Sequence, residues 1–232
     1  MRGYGQYCPV ARASEVLAER WTPLVFRNLM FGADTFTGIA RGVPQMSRSV
    51  LVTRLGELER AGLLTVEPKT AGRGHRYHLT EAGQDLGAVV GALAAWGERW
   101  VDVGPQHSDP GFALWAWCRV QLDRSALPAG RLVVAFLFPD QPRGNQRFWL
   151  LVEDGDAEVC HADPGGDASL HVRAESSAFV AWHRGALSWD RALRDGTIEV
   201  AGDPALAVLL PRWNLHEPRV PAPAPAVRAP RG

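Results

Sequence analysis

The sequence predicts an α+β protein in two parts, of which only the second has a substantial sheet. Capped amphipathic helices and one short hairpin fill the first hundred residues. A Pro/Gly segment, VGPQHSDPG at 103–111, then interrupts them. Strand-like runs followed by short helices come after it, a pattern typical of an α+β domain with a largely antiparallel sheet.

Three short helices are predicted at the start of the chain, over 8–21, 22–32 and 34–42. Pro9 stands at a first helical position, where its missing N–H has no cost. Thr22 is the expected N-cap of the second helix, and Gly32 follows its end. Pro44 prevents the third helix from continuing.

A fourth helix is predicted over 46–62, capped by Ser47. Leu51, Leu55 and Leu58 recur at helical spacing and should share its buried face. The opposite face is small, hydroxylic and basic, although such a face can also be merely solvated. A short helix, a tight turn and a second helix of this kind form a helix-turn-helix, whose second helix enters the DNA major groove. The candidate contact residues are Ser47, Arg48, Ser49, Val52, Thr53 and Arg54.

A basic, glycine-rich loop follows between two predicted strands, Leu63–Glu67 and Arg76–Leu79. Such a wing can lie along the phosphate backbone or enter the minor groove. Its candidate contacts are Lys69, Arg73, His75 and Arg76. The chain has a formal net charge of +0, yet residues 41–76 hold seven basic and three acidic side chains. Double-stranded DNA is therefore the predicted partner of this segment.

Residues 5–101 resemble the HxlR-type winged helix-turn-helix regulators, which are relatives of the MarR group. The stretches that carry the resemblance are YCPVARASEVLAERWTPLVFRNL, MSRSVLVTRLGELERAGLL and HRYHLTEAG. The resemblance implies a homodimer on a pseudo-palindromic operator. It also implies a candidate redox or electrophile sensor at Cys8, because some members carry such a cysteine there. Independently, a helix N-terminus lowers a thiol pKa, although a buried packing role remains the alternative for Cys8.

A long helix is predicted over 79–101, beginning at Thr80. One stripe of this helix is apolar and consists of Leu86, Val89, Val90, Leu93, Trp96 and Trp100. A second stripe is small and consists of Gly83, Gly87, Gly91 and Ala95. Because glycine weakens a helix, close approach of another helix should compensate. We interpret this element as the dimer helix, with packing against its own domain as the alternative.

The second half predicts strands and short helices in the order of an α+β domain. The strands are expected at 131–139, 147–162 as a hairpin turning at Asp154-Gly155, 168–174 and 197–202. The helices are expected at 109–123, 175–185, 188–196 and 203–213. The resulting domains are 1–102, a winged helix-turn-helix; 103–216, a second globular domain; and 217–232, a Pro/Ala-rich tail.

The second domain is rich in aromatic residues and has no recognisable catalytic motif, metal-ligand set or cofactor motif. Six of the nine tryptophans lie beyond residue 103. A sheet covered by short helices and lined with aromatic side chains can enclose an apolar ligand, and a large-residue core is the alternative. The candidate wall residues are Phe136, Trp149, Trp182 and Trp189.

Residues 131–213 resemble the sterol carrier protein type 2-like fold. The carrying stretches are LVVAFLFPD, FWLLVEDGDAEV and ALSWDRALRDGTIEVAGDPALAVLLPRW. The resemblance implies an apolar cavity for a lipid or a similar hydrophobic molecule, without catalysis.

The sequence as a whole predicts a cytoplasmic protein, since it has no leader-like segment and no apolar run of about 18 residues. The predicted function is that of a dimeric, sequence-specific DNA-binding regulator, a repressor on family resemblance. Its C-terminal domain would sense a hydrophobic small molecule. The alternative is a hydrophobic-ligand carrier or interaction protein that uses the winged helix mainly for dimerisation. An enzyme is not predicted.

Overall fold

The computed structural model describes residues 3–70, 72–102 and 104–215. The chain divides between Asp102 and Val103 into two compact units. The predicted tail, 217–232, lies outside the described residues. We refer to the two parts as the N-terminal unit and the C-terminal unit and treat each by itself.

The N-terminal unit is helical apart from one two-stranded hairpin. Its elements are α1 (Pro9–Leu17), α2 (Thr22–Met30), α3 (Phe36–Arg41), α4 (Arg48–Arg60), β1 (Leu64–Pro68), β2 (His75–Leu79) and α5 (Glu81–Trp100). Ser47 and Thr80 cap α4 and α5 as predicted, accepting hydrogen bonds from the N–H groups of Val50 and Gly83. The prediction that Thr22 caps α2 is wrong. Trp21 occupies that position with a φ of 78°, and Thr22 is the first helical residue.

The core of this unit lies between α2, α3, α4 and β1. Leu51, Leu55 and Leu58 are at most 3% exposed, which confirms the predicted buried face of α4. Asn28 is fully buried, and its side-chain amide donates to the carbonyl oxygen of Ile39 at 2.8 Å. The Arg27 guanidinium donates to the Gly42 carbonyl oxygen at 2.8 Å, and burial lowers its pKa to about 10. These bonds fix the end of α3, and hence the turn that leads into α4.

Two glycines of the small stripe on α5 pack against their own unit. A Cβ at Gly83 would lie 2.1 Å from the carbonyl oxygen of Leu63, and one at Gly87 would lie 3.0 Å from the Met30 methyl group. A Cβ at Gly91 would meet no atom of the described residues within 4 Å. At Gly83 and Gly87, therefore, the close approach predicted for a second helix is made by the chain itself.

This difference predicts opposite effects for two substitutions in the same helix. We expect Gly83→Ala to destabilise the protein by roughly 1–3 kcal/mol, because the methyl group overlaps a backbone oxygen that cannot move freely. We expect Gly91→Ala to be neutral or to stabilise by up to about 1 kcal/mol, because alanine favours the helix and nothing opposes it. Urea unfolding of both variants measures this, and equal effects at the two positions would contradict the packing of Gly83.

The C-terminal unit combines five strands with short helices. In chain order they are α6 (Pro110–Ala116), β3 (Leu132–Leu137), β4 (Arg147–Glu153), β5 (Asp156–Cys160), β6 (Leu170–Ala174), α7 (Ser176–His183), α8 (Trp189–Arg194), β7 (Ile198–Gly202) and α9 (Pro204–Leu209). The helix predicted over 109–123 is shorter than expected, because α6 passes into a π-helical turn at Trp117–Gln121. The last helix likewise ends in a 3₁₀ turn, Leu210–Trp213.

The sheet has the strand order β5-β4-β3-β6-β7. Neighbouring strands are antiparallel except β3 and β6, which are parallel. This agrees with the largely antiparallel sheet predicted. The predicted hairpin turn is also confirmed, since Asp154 and Gly155 have φ values of 53° and 78°. Two successive residues at positive φ form the turn whose twist matches a tight hairpin.

One face of the sheet carries a close-packed aromatic core. Phe136 on β3 and Phe138, just after its end, meet Phe179 of α7 at ring-centroid distances of 5.7 and 5.3 Å. Trp182 contacts Trp117 at 5.4 Å and Trp189 at 4.7 Å. Such separations are those of rings in direct contact. The other face of the sheet carries the alternate, more polar residues.

His183, at the end of α7, links the stability of this core to pH. Burial lowers its pKa from 6.5 to about 4, with a smaller contribution from Arg184, and its Nδ1 is buried without a hydrogen-bond partner among the described residues. Because the folded pKa is depressed, the unfolded chain takes up the proton first. The free energy of unfolding therefore decreases by up to about 3 kcal/mol as the pH falls from about 6.5 to about 4.

We expect His183→Gln to remove that part of the acid sensitivity. Thermal unfolding of the wild type and the variant between pH 4 and pH 7 measures it. The melting temperature of the wild type should fall more steeply than that of the variant below pH 6.5. Parallel curves would show that His183 is protonated equally in the folded and unfolded states.

Candidate nucleic-acid interface

The N-terminal half of α4 presents a polar, exposed face. Ser47, Arg48, Ser49 and Thr53 are all exposed, and Val52 is 60% exposed between them. The hydroxyl groups are held locally, because Ser47 Oγ lies 3.1 Å from Ser49 Oγ and Thr53 Oγ1 donates to the Ser49 carbonyl oxygen at 3.0 Å. The face thus offers hydroxyl groups, one cation and one apolar side chain to a partner.

Arg48 is held in place by an aromatic ring. Its guanidinium carbon lies 4.9 Å from the centroid of the Phe36 ring, which belongs to α3. A guanidinium over an aromatic face is attracted by the ring and loses fewer conformations when it binds. Arg48 is therefore positioned before a partner arrives, while the residue as a whole remains exposed.

The hairpin β1–β2 forms the wing. Lys69 N–H donates to the Gly74 carbonyl oxygen at 3.0 Å, which closes the loop. Gly72 and Gly74 have φ values of 79° and 115°, a region that residues with a side chain rarely adopt. Arg73 and His75 are exposed at the tip, and Lys69 is half-buried. Ala71, in the same loop, lies outside the described residues.

Two of the predicted contact residues have structural roles. Arg54 is bound by Glu19 at 3.0 Å and by Glu57 on its own helix, and only 16% of its side chain is exposed. These ion pairs give Arg54 a role within its own unit, and its contact with DNA stays a prediction. Arg76 pairs with Asp34 but keeps 47% of its side chain exposed. The pair of Arg54 and Glu57 could have been predicted from the sequence, because the two residues are three positions apart on one helix.

The remaining cations of this surface are free to meet a polyanion. No carboxylate in the described part of the chain pairs with Arg48, Lys69 or Arg73. Arg48 lies on α4, and the other two lie on the wing. A helix and a hairpin tip that both carry unpaired cations have the charge needed to contact DNA phosphates.

The three cysteines have different environments. Cys118 is buried, its Sγ donates to the Ala157 carbonyl oxygen at 3.0 Å, and burial raises its pKa to about 11. Cys8 is half-buried at the N-cap of α1, and its side chain makes no capping hydrogen bond. Cys160 is half-buried on β5. Within the described residues, no group of three or more His, Cys, Asp or Glu side chains could hold a metal ion.

The reactivity of Cys8 stays a prediction that alkylation can test. We expect Cys8 to react faster than free cysteine near neutral pH, the rate that a sensor requires, and its half-buried position at the N-cap of α1 leaves the side chain accessible. Cys118 should not react in the folded protein, because its thiol is buried and stays protonated. Mass spectrometry after timed exposure to iodoacetamide measures both rates. A Cys8 rate no higher than that of free cysteine would leave it only a packing role.

The four predicted ligand-binding residues of the C-terminal unit lie on two different faces of the sheet. Phe136, Trp182 and Trp189 are at most 7% exposed and belong to the aromatic core. Trp149 is half-buried on the opposite face, where it lines a concavity of about 660 Å³. The structure does not bring the four together around one space. The alternation along β4 could have placed Trp149 opposite the core, because Phe148 and Leu150 on either side of it are buried.

No helix in the described ranges is both long and apolar enough to span a membrane.

Comparison with known proteins identifies a family for the first part of the chain. The family model for HxlR-like helix-turn-helix proteins matches residues 16–105. An uncharacterized HTH-type transcriptional regulator of Mycobacterium tuberculosis, Rv3095, is 40% identical over 116 residues, covering 44% of this chain and 72% of the regulator. The Bacillus subtilis regulator YvaP is 34% identical over 100 residues, covering 42% of this chain and 92% of YvaP. The solved structure of reduced YodB from B. subtilis is 30% identical and covers 43% of this chain and 99% of YodB, with a TM-score of 0.37.

Proposed function

The chain belongs to the family of HxlR-like helix-turn-helix transcriptional regulators, and we propose that it acts as a homodimeric repressor on a specific DNA operator. The observation that carries the proposal is the exposed N-terminal half of α4, with Arg48 held on Phe36, beside a wing with free cations. Such an arrangement suits a helix in the major groove and a wing on the backbone. As a regulator it works in the cytoplasm, where bacterial DNA is.

The dimer is proposed from the outer face of α5. Val89, Leu93, Trp96 and Trp100 follow one another at spacings of four, three and four residues, so they share one face of the helix. Each of them is between 52% and 64% exposed. Four large apolar side chains on one exposed helix face favour a partner. A second copy of the same helix fits best, because a two-fold interface is self-complementary and presents two α4 helices to two half-sites.

The C-terminal unit is proposed to bind an effector and thereby change the affinity for DNA. The likeness of residues 131–213 to the sterol carrier protein type 2-like fold is part of this proposal. It is supported by the five-stranded sheet with short helices, and the concavity beside Trp149 is large enough for a small molecule. The dimer would have two conformations that differ in the distance between its α4 helices. An effector that binds one conformation more tightly than the other would shift operator affinity by the difference between its two binding free energies.

DNA binding is tested by footprinting the full chain on the promoters nearest its own gene. We expect protection of two half-sites about one helical turn apart. Affinity should fall steeply with salt, because phosphate contacts release counterions. A protein that binds apolar ligands but protects no promoter would instead favour a carrier that uses the winged helix for dimerisation.

A further inference from the structure

The concavity of the C-terminal unit is built on the face of the sheet opposite the aromatic core. Its floor is Ala135 on the central strand β3, whose side chain is a single methyl group. Trp149 on β4 and His171 on β6 are the direct neighbours of Ala135 in the two flanking strands. A small residue between two flat rings leaves a slot, and both rings line the concavity.

The width of this slot fits one planar ring. Adjacent strands lie about 4.8 Å apart, so the backbones of β4 and β6 are roughly 10 Å apart across β3. When a flat ring is stacked between two other rings, the two outer rings are about 7–8 Å apart, because carbon atoms pack best at 3.5–4.0 Å. An aromatic molecule standing on Ala135 can therefore contact Trp149 and His171 at once.

One end of the slot carries positive charge. In the next row of the sheet Leu137 has Arg147 beside it on β4 and Arg173 beside it on β6, and both arginines line the concavity. Arg173 has Glu199 as a counterion, with Nε 3.8 Å from the carboxylate. Within residues 104–215, no carboxylate pairs with Arg147. An unpaired guanidinium is suited to a carboxylate, which it can bind through two parallel hydrogen bonds.

The wall above the slot comes from the segment between β5 and β6, and this wall is held by hydrogen bonds. The Arg131 guanidinium donates to the carbonyl oxygens of Pro164 and Gly165 at 3.1 and 2.7 Å. Asp163 accepts from the Gly165 N–H at 2.8 Å. Asp163 and Asp167 both line the concavity. These carboxylates make the wall unsuited to a wholly apolar ligand such as a sterol or a fatty-acid chain.

We propose that this concavity binds a planar aromatic small molecule that carries one carboxylate. The ring lies on Ala135 between Trp149 and His171, and the carboxylate binds Arg147. Of the residues predicted to line a sterol-carrier-like cavity, Trp149 lines this concavity, whereas Trp182 and Trp189 lie in the aromatic core. Binding of this ligand does not depend on the proposed effector role of the C-terminal unit. Only the effect of the ligand on DNA binding rests on that proposed function.

Calorimetric titration of the full chain with two matched probes tests the site. Naphthalene-2-carboxylate should bind, and naphthalene-2-carboxamide, which has the same ring without the charge, should bind about tenfold more weakly or worse. Arg147→Gln should weaken the carboxylate by about tenfold and remove the preference over the amide. Ala135→Leu should abolish binding of both probes, because the leucine side chain fills the floor. Arg194→Gln, which removes an exposed arginine of α8, is the control and should change nothing.

Three results would overturn the proposal. The first is equal affinity for the two probes. The second is unchanged carboxylate binding in Arg147→Gln and Ala135→Leu, provided that both variants melt like the wild type. The third is a failure of the carboxylate to bind at concentrations below about 1 mM. If Ala135→Leu instead changes the oligomeric state in light scattering, the face is an interface between copies of the chain, and the small-molecule proposal fails. Binding of the carboxylate without any change in operator affinity would keep the site but remove its role as an effector site. If the proposed DNA-binding function is wrong, footprinting will show no protected promoter, and the calorimetric result will not be affected.

Discussion

Replacing Arg48 with alanine should weaken binding to the operator by about 1–3 kcal/mol and relax the choice of sequence. Arg48 stands at the exposed start of α4, where the residues that meet base edges are found, and Phe36 holds its guanidinium in position. Electrophoretic mobility shifts on the operator and on DNA of scrambled sequence measure both effects. The loss should be much larger on the operator than on the scrambled DNA.

Two arginine variants serve as controls for this measurement. Arg73→Ala removes an unpaired cation of the wing, so it should weaken all DNA alike and reduce the salt slope by about one. Arg194→Ala removes the same charge from an exposed position in the C-terminal unit and should leave operator binding unchanged. If Arg48→Ala bound the operator as the wild type does, α4 would not be docked in the major groove in the way proposed.

Leu93→Glu should convert the proposed dimer into monomers and reduce operator affinity by about 100-fold or more. Leu93 lies in the middle of the exposed apolar face of α5 and is 54% exposed. In a two-fold interface the substitution buries two carboxylates, each without a counterion. A monomer contacts one half-site only and loses the gain from linking two binding events, which is about 10²- to 10⁴-fold.

Light scattering after size exclusion measures the mass, and mobility shifts measure the affinity. Val208→Glu is the matched control, because Val208 is a comparably exposed apolar residue, 58% exposed, on α9 of the C-terminal unit. It should leave both measurements unchanged. A Leu93→Glu protein that keeps the mass of a dimer would place the interface elsewhere, and the exposed face of α5 would need another partner.

Local patterns in the sequence were sufficient for most elements of the N-terminal unit. The caps at Ser47 and Thr80 and the buried face of α4 follow from interactions within one or two helical turns. The cap of α2 was the exception. Thr22 has the chemistry of a cap, but the sharp turn after α1 places Trp21 in the left-handed conformation and moves the helix start by one residue.

The candidate interface could be predicted in outline but not residue by residue. Periodicity places Arg48, Ser49 and Thr53 on the exposed side of α4, because one face of an amphipathic helix must be buried. Periodicity does not tell a cation that faces a partner from one that is bound by its own unit. The pairing of Arg54 with Glu19 joins residues 35 positions apart, and only the packing of α4 against the α1–α2 turn brings them together.

In the C-terminal unit, too, the local elements follow from neighbouring residues, whereas long-range packing fixes which residues share a face of the sheet and line the same space. The alternation of β6 and the Asp154-Gly155 turn are visible in the sequence, because strand pleating and turn conformation depend on neighbouring residues. Trp149 and His171 flank Ala135 only because β6 returns parallel to β3, after a connection that passes β4. Likewise, the packing of α7 and α8 on the other face makes Trp182 and Trp189 part of the core. Pairing between distant strands depends on the burial of a whole face of the sheet, which residues from several strands make together. A pattern within one strand therefore does not predict it.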